Sequence, residues 1–224
     1  MTGELINWDW VTSHLDDLAF AVWQHLVLTA IPLAVGFAIS LALAIWAVRR
    51  PGVIGPITAV TGILYTIPSL AAFALLLPIF SFSYLTAFIP LTSYTLLILF
   101  RNILAGFESV PREVLEAADG MGYRSRQRLV RVELPLAVPL TMAGVRLAAV
   151  TLIGLATVAS ILGSSFGGLG LLITEGLQTF FPTKYLLGGL LSVVLALIVD
   201  FLLRRVERRA TPWATARAAA GTGA

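Results

Sequence analysis

From Pro51 to Phe100 the chain runs for 50 residues without one Asp, Glu, Lys, Arg or His, and Leu26 to Val48 adds 23 more. A backbone in lipid must satisfy its own N–H and C=O groups, and about 20 helical residues do so while crossing a bilayer. The shorter run is therefore one crossing, and the longer has room for two crossings and a turn. Barrel strands would instead alternate polar and apolar residues in segments of about ten. The chain is read as an all-α polytopic membrane protein.

Composition agrees. Of 224 residues 58% are hydrophobic and 12% charged, where a soluble domain would be about a quarter charged. With no cysteine, disulfides, thiolate metal sites and cysteine nucleophiles are excluded. No cofactor or metal site is indicated. The opening stretch MTGELINWDWVTSHLDD has four acids and no Lys or Arg, the reverse of a signal peptide's basic start.

Five spans are expected: Gln24–Val48, Gly55–Phe80, Leu85–Leu104, Pro135–Leu162 and Tyr185–Leu203. The second carries Pro56, Pro68 and Pro78, and its TIPS stretch (Thr66 to Ser69) predicts a kink, because Pro68 removes a backbone bond and crowds the preceding turn. Splitting that segment gives six spans as the alternative. Five spans with the N-terminus outside put Arg49, Arg50, Arg101, Arg112, Arg124, Arg126, Arg128, Arg131, Arg204, Arg205, Arg208, Arg209 and Arg217 on the inner side. Arg146 lies a few turns into the fourth span from that side, so 14 of the 15 cationic residues sit on or near one face and only Lys184 falls outside. Cytoplasmic loops are rich in Lys and Arg, which sets the orientation as N-out and C-in. The same rule accounts for the sequence pI near 9.7 with no nucleic acid as partner.

Residues 1–23 read as an outer interfacial segment, with a short helix over 7–20 anchored by Trp8 and Trp10. Residues 24–204 form the membrane domain, and 205–224 a small-residue, disordered cytoplasmic tail. The apolar loop Ser164 to Tyr185 is expected to dip back into the membrane, which requires protein to shield its backbone.

One polar interlude breaks the pattern. From Glu116 to Pro135 the chain reads EAADGMGYRSRQRLVRVELP, with four arginines and three acids. Ser109-Val110-Pro111 predicts a helix start, and Gly122 is the candidate left-handed residue that ends that helix. Ser125 is expected to cap a second short helix, Arg126 to Glu133, which Pro135 stops. The segment 108–135 sums to zero charge, and its small and apolar residues suit a docking element better than a solvated connector.

Glu116-Ala117-Ala118, three residues, Gly122, nine residues, Val132, one residue, Leu134-Pro135 resembles the signature of permease subunits of ATP-binding-cassette importers, with valine where isoleucine is commoner. The resemblance implies a type I (MetI-like) permease fold in a bacterial inner membrane. It also implies that 108–135 is the coupling segment received by a cytoplasmic ATPase dimer. Close approach there falls to Ala117 and Ala118, the turn to Gly122, and an apolar knob to Leu129, while Glu116 orders the loop or pairs with a nearby arginine. ILYTIPSLAAFALLLPIF, RNILAGFESVP, GMGYRSRQRLVRVELPLAVPLTMAGVR and IGLATVASILGSSFGGLG further resemble permeases for glycine betaine, choline, carnitine or proline betaine; Ser164, Ser165 and Phe166 depart from the alanine or glycine common there. The similarity runs from about His25 to Gln178. It implies a second permease subunit, identical or paralogous, and a separate extracytoplasmic substrate-binding protein. The permease itself would not be an enzyme, and no phosphate-binding loop ending in Lys-Ser or Lys-Thr exists, Lys184 being the one lysine.

Other candidates are weaker. Tyr65, Thr66, Pro68 and Ser69 are candidates for the translocation path, and Phe37, Trp46, Tyr65, Phe73 and Phe80 for aromatic contact with a quaternary ammonium group. Asp200 sits one turn before Arg204, predicting a local pair; Arg146 is expected to reach Asp200 or a carbonyl. Ala156, Ser160 and Ser164, with Gly144 and Ala148, form a small-residue stripe suited to packing between subunits or within one. Glu175 and Lys184 are either partner contacts or solvated. Gly163-Ser164-Ser165-Phe166-Gly167 fits G-x-S-x-G, but it lacks a strand-to-helix turn and a nearby base; His25 is expected to cap or anchor the first span. A gradient-driven transporter is the rival class, distinguished by its energy source.

Overall fold

In the computed structural model, which describes residues 5–160 and 166–213, the long apolar runs are mostly helical. A short helix α1 (Trp8–Ser13) leads into α2 (Leu15–Arg49). At 35 residues α2 is about 52 Å long and begins nine residues before the expected span, because only His14 interrupts the helix between α1 and it. A single 3₁₀ turn, Pro51–Val53, then leads into α3 (Ile54–Thr66) and α4 (Ser69–Phe80). Next come α5 (Tyr84–Glu108), α6 (Arg112–Gly120) and α7 (Ser125–Arg128). A π-helical stretch, Leu129–Glu133, runs into α8 (Leu134–Ala159); α9 (Leu169–Gln178) and α10 (Pro182–Ala210) follow.

Four helices are long and apolar enough to cross a membrane, and α3 with α4 makes a fifth crossing if the bent pair counts as one. The predicted kink is a break: at Ile67-Pro68 the two helices diverge by 90°. Pro68 has no N–H for the α3 ladder, and its ring holds Ile67 in the extended conformation. Helices of 13 and 12 residues are each about 20 Å or less, short of a 30 Å core. Two full crossings from this pair are therefore ruled out, and with them the six-span alternative.

Helix α5 is the hub, packing against α2, α8, α3 and α4. Within its most apolar stretch 56% of residues are buried, against 17% in α10, which lies at the periphery. One core joins Ala44, Leu99, Phe100, Ile103 and Ala137; a second joins Leu28, Phe73, Leu91 and Leu152; a third ties Leu18, Ile153, Leu169 and Leu187 together. Glycine permits the closest approach. A Cβ on Gly36 would lie 1.8 Å from Thr95 Oγ1, and one on Gly106 would lie 2.7 Å from the Ala137 carbonyl oxygen.

The small-residue stripe belongs to this packing. Gly144 faces Asn102, with 2.4 Å between a built Cβ and that side chain, Ala148 and Ala156 are fully buried, and Ser160 Oγ donates to Gly167 O at 2.9 Å. It therefore works inside the subunit; Ser164, like Gly163 and Ser165 of the G-x-S-x-G stretch, lies outside the described residues. The expected apolar loop after α8 holds the helix α9, which packs on α10, α8 and α2. Arg205 to Ala210, expected in the tail, continue α10.

Candidate functional site

The two ends of the helix bundle differ. At one, Trp10 stacks on His14 (4.4 Å), meets Phe181 edge-on (5.5 Å) and lies under Lys184 Nζ. Thr183 Oγ1 accepts from Asn7 N at 2.9 Å, and Lys184 pairs with Glu175 at 2.9 Å. These two charges thus satisfy each other. At the opposite end lie the interlude and the C-terminal part of α10.

The interlude folds as helix, turn, helix. Helix α6 ends in a complete Schellman motif: Gly122 N donates to Asp119 O at 2.9 Å and Tyr123 N to Ala118 O at 3.1 Å, with Gly122 at φ +80°. A Cβ there would meet nothing within 4 Å, so the requirement for glycine is one of backbone angle alone. The helix begins at Arg112 rather than at Ser109, whose Oγ donates to Gly106 O (2.8 Å) and so closes α5. Arg124, not Ser125, flanks α7, and the Gln127 side chain accepts from its N–H at 2.9 Å.

Pro135 does not stop the second helix. Leu134 N donates to Leu129 O, five residues back, and this widened π turn makes room for a proline ring that an α turn would press against the carbonyl four residues earlier. Helix therefore continues from Ser125 to Ala159. The wider turn also shifts the phase of the residues, and Leu129 and Leu134 pack on the first core. Leu129, offered as a knob, is half-buried against that core. The exposed apolar side chains are Val114, Met121 and Val130.

Of the predicted residues here, Ala118 is buried, Glu116, Ala117 and Gly122 are exposed, and Val132 and Pro135 are half-buried. Glu116, expected to order the loop or to pair with a basic group, forms no ion pair or side-chain hydrogen bond with the described residues. The arginine contact belongs to Asp119. Arg128 Nη1 reaches both of its carboxylate oxygens (2.9 and 2.6 Å), while Arg128 Nε donates to Glu133 Oε1 at 2.8 Å. Sequence reasoning passed over Arg128, Asp119 and Glu133. The available signal was an acid in the last turn of a helix, where the dipole disfavours it and a cation must compensate.

Deeper in the bundle Arg146 Nε donates to Asp200 Oδ1 at 2.9 Å and Arg146 Nη1 to Glu207 Oε2 at 3.1 Å; Arg204 Nε donates to Asp200 Oδ2 at 2.8 Å. Both expected contacts of Asp200 are present, and Glu207 is an additional partner. His25 is fully buried. Its Nε2 donates to Ile153 O (3.0 Å) and its Nδ1 accepts from Leu169 N (3.3 Å), which fixes a neutral tautomer and ties α2 to α8 and α9.

Tyr65, Thr66, Pro68 and Ser69 gather at the α3–α4 break. The Tyr94 hydroxyl donates to Ile67 O there, and the Tyr65 and Tyr94 rings meet edge-to-face at 5.8 Å. The five aromatics proposed for a cation do not form one cage: Phe37 packs on the first core and Phe73 lies inside the second. Among the described residues no cluster of His, Asp and Glu could hold a metal ion.

The chain is 37% identical over 205 residues to the carnitine transport permease protein OpuCB of Listeria monocytogenes, covering 92% of this chain and 93% of that one. It is 34% identical over 197 residues to the glycine betaine/carnitine/choline transport system permease protein OpuCB of Bacillus subtilis (strain 168), covering 88% and 89%. A chain of the MetNI methionine ABC transporter, solved in inward-facing conformations, superposes with a TM-score of 0.77 at 24% identity over 89% of this chain and 98% of that one, so the type I permease fold is present. Residues 34–212 match the family described as binding-protein-dependent transport system inner membrane component, and the chain is a multi-pass member of that family.

Proposed function

We propose that the chain is the permease subunit of an ATP-driven importer for a quaternary ammonium osmoprotectant such as glycine betaine, choline or carnitine. It stands N-out and C-in, pairs with a second permease subunit, receives solute from an extracytoplasmic binding protein and takes its energy from a cytoplasmic ATPase dimer. It performs no catalysis itself. The observation that carries this is the interlude. The EAA signature begins on an exposed helix closed by a glycine-dependent turn at the end of the bundle, and its closing Leu134-Pro135 shares a groove with Val130 and with Ala210 at the end of α10. Such a surface offers Glu116, Ala117, Val114 and Met121 to a partner and leaves Ala118, Leu129 and Leu134 to hold the base. The α3–α4 break, with Tyr65, Thr66, Pro68 and Ser69, is the proposed stretch of the path, since a helix broken at membrane depth is tolerated where it is shielded by protein or lines a cavity.

The test is uptake into vesicles holding the purified assembly. ATP-dependent uptake of labelled betaine, choline or carnitine is expected, lost in Glu116→Lys and Gly122→Asp while both variants still insert. Uptake that survives ATP depletion under an ion gradient would replace this reading with a gradient-driven transporter.

A further inference from the structure

We infer that Arg128 is the positioning residue that makes α6 and α8 move as one body, and so transmits force from the proposed ATPase contact into the spans. The inference rests on the coupling reading given above and adds the part that does the transmitting. Between Gly120 and Ser125 the backbone link is a turn, and the two helices on either side share few contacts. Besides the buried Ala118 and the backbone bonds of the turn, the side-chain bonds that fasten them come from one guanidinium. Arg128 bonds both carboxylate oxygens of Asp119, the penultimate residue of α6, and the carboxylate of Glu133, the last residue before α8. Glu133 is 7% exposed, and Arg128 is its side-chain partner among the described residues.

The π stretch makes the contact possible. Residues five apart on an α-helix point about 140° away from each other, at 3.6 residues per turn. In the wider π turn they come back toward one face, and Glu133 comes into reach of Arg128. The sequence thus gives up regular helix geometry at the point where the three-residue bridge needs it. Lysine is a poor substitute: its compact ammonium lacks the rigid planar fork that holds both carboxylates in fixed geometry.

The experiment compares wild type, Arg128→Lys, Asp119→Asn and Glu133→Gln, each assembled with its ATPase and binding protein in vesicles, and measures solute imported per ATP hydrolysed. All four are expected to retain the ATPase and to hydrolyse ATP, while the variants import about tenfold less solute per ATP. An unchanged ratio in Arg128→Lys overturns the inference, as does parallel loss of ATPase binding and hydrolysis, which would make Arg128 part of the docking surface. Absence of any ATPase on the wild type would overturn the coupling reading itself, a distinguishable result. Spin labels on Glu113→Cys and Leu140→Cys, in a chain with no cysteine of its own, supply a readout independent of turnover. Their separation is expected to stay sharp through the nucleotide cycle and to broaden when Arg128→Lys is added; identical distributions would sink the proposal.

Discussion

Arg146 of α8 and Asp200 of α10 meet at 2.9 Å, although 54 residues separate them, and each has a second partner: Glu207 for Arg146 and Arg204 for Asp200. Four charges thus neutralise one another across two helices in a region where lone charges are costly.

Removing one member should cost stability before it costs transport. Asp200→Asn leaves Arg146 with Glu207 alone and is expected to lower stability by about 1–3 kcal/mol, seen as earlier thermal unfolding in detergent. Uptake per correctly folded assembly should stay near wild type. Normal stability with absent uptake would instead give Asp200 a direct part in transport.

Gly122 supplies a test in which space plays no role. Its φ is +80° and a Cβ would meet open surroundings, so substitutions should rank by their tolerance of the left-handed region. Uptake is expected to fall in the order Gly, Asn, Ala, Val, with about 1–2 kcal/mol of local strain at alanine. Equal uptake by all four would show that the Schellman turn is not needed.

Gly36 makes the opposite demand. Gly36→Ala forces a methyl to within 1.8 Å of Thr95 Oγ1 and should destabilise by about 1–3 kcal/mol. Gly62→Ala, with nothing within 4 Å of its Cβ, is the control and should be neutral or slightly stabilising. Thermal unfolding of the two variants side by side checks the contrast.

His25 joins three helices through one neutral ring. His25→Leu leaves the Leu169 N–H without its acceptor, while Ile153 O keeps the Thr157 hydroxyl at 2.9 Å. The expected loss is about 1–3 kcal/mol for an unpaired buried donor, and His25→Gln, which carries both a donor and an acceptor, should recover part of it. Equal stability of the leucine and glutamine variants would rule out a hydrogen-bonding role.

What could be read from sequence was whatever is decided within a few residues. Apolar length marked the spans, Gly122 declared the turn, and Asp200 with Arg204 stood one helical turn apart. Features decided by phase or by distant partners stayed hidden. The resemblance offered Leu129 as an apolar knob, and only the structure shows it packed on the first core at the start of a π stretch. His25 finds its partners 128 and 144 residues away, so its position near a span end pointed only to an anchor. Pro68 announced a bend, but its 90° angle depends on how α3 and α4 each pack against α5. Small residues at four-residue spacing indicate close packing and do not name the neighbour; Gly144 needed the structure to reveal Asn102.

The sparsely buried α10 is fastened near both ends, by Lys184 to Glu175 and by Asp200 to Arg146, points 16 residues or about 24 Å apart along its axis. Between these rivets its outer face, with Leu190, Val193 and Leu197, is exposed on this chain. Such a rod is able to bow or swivel, whereas a piston stroke along its length would shear two ionic contacts at once.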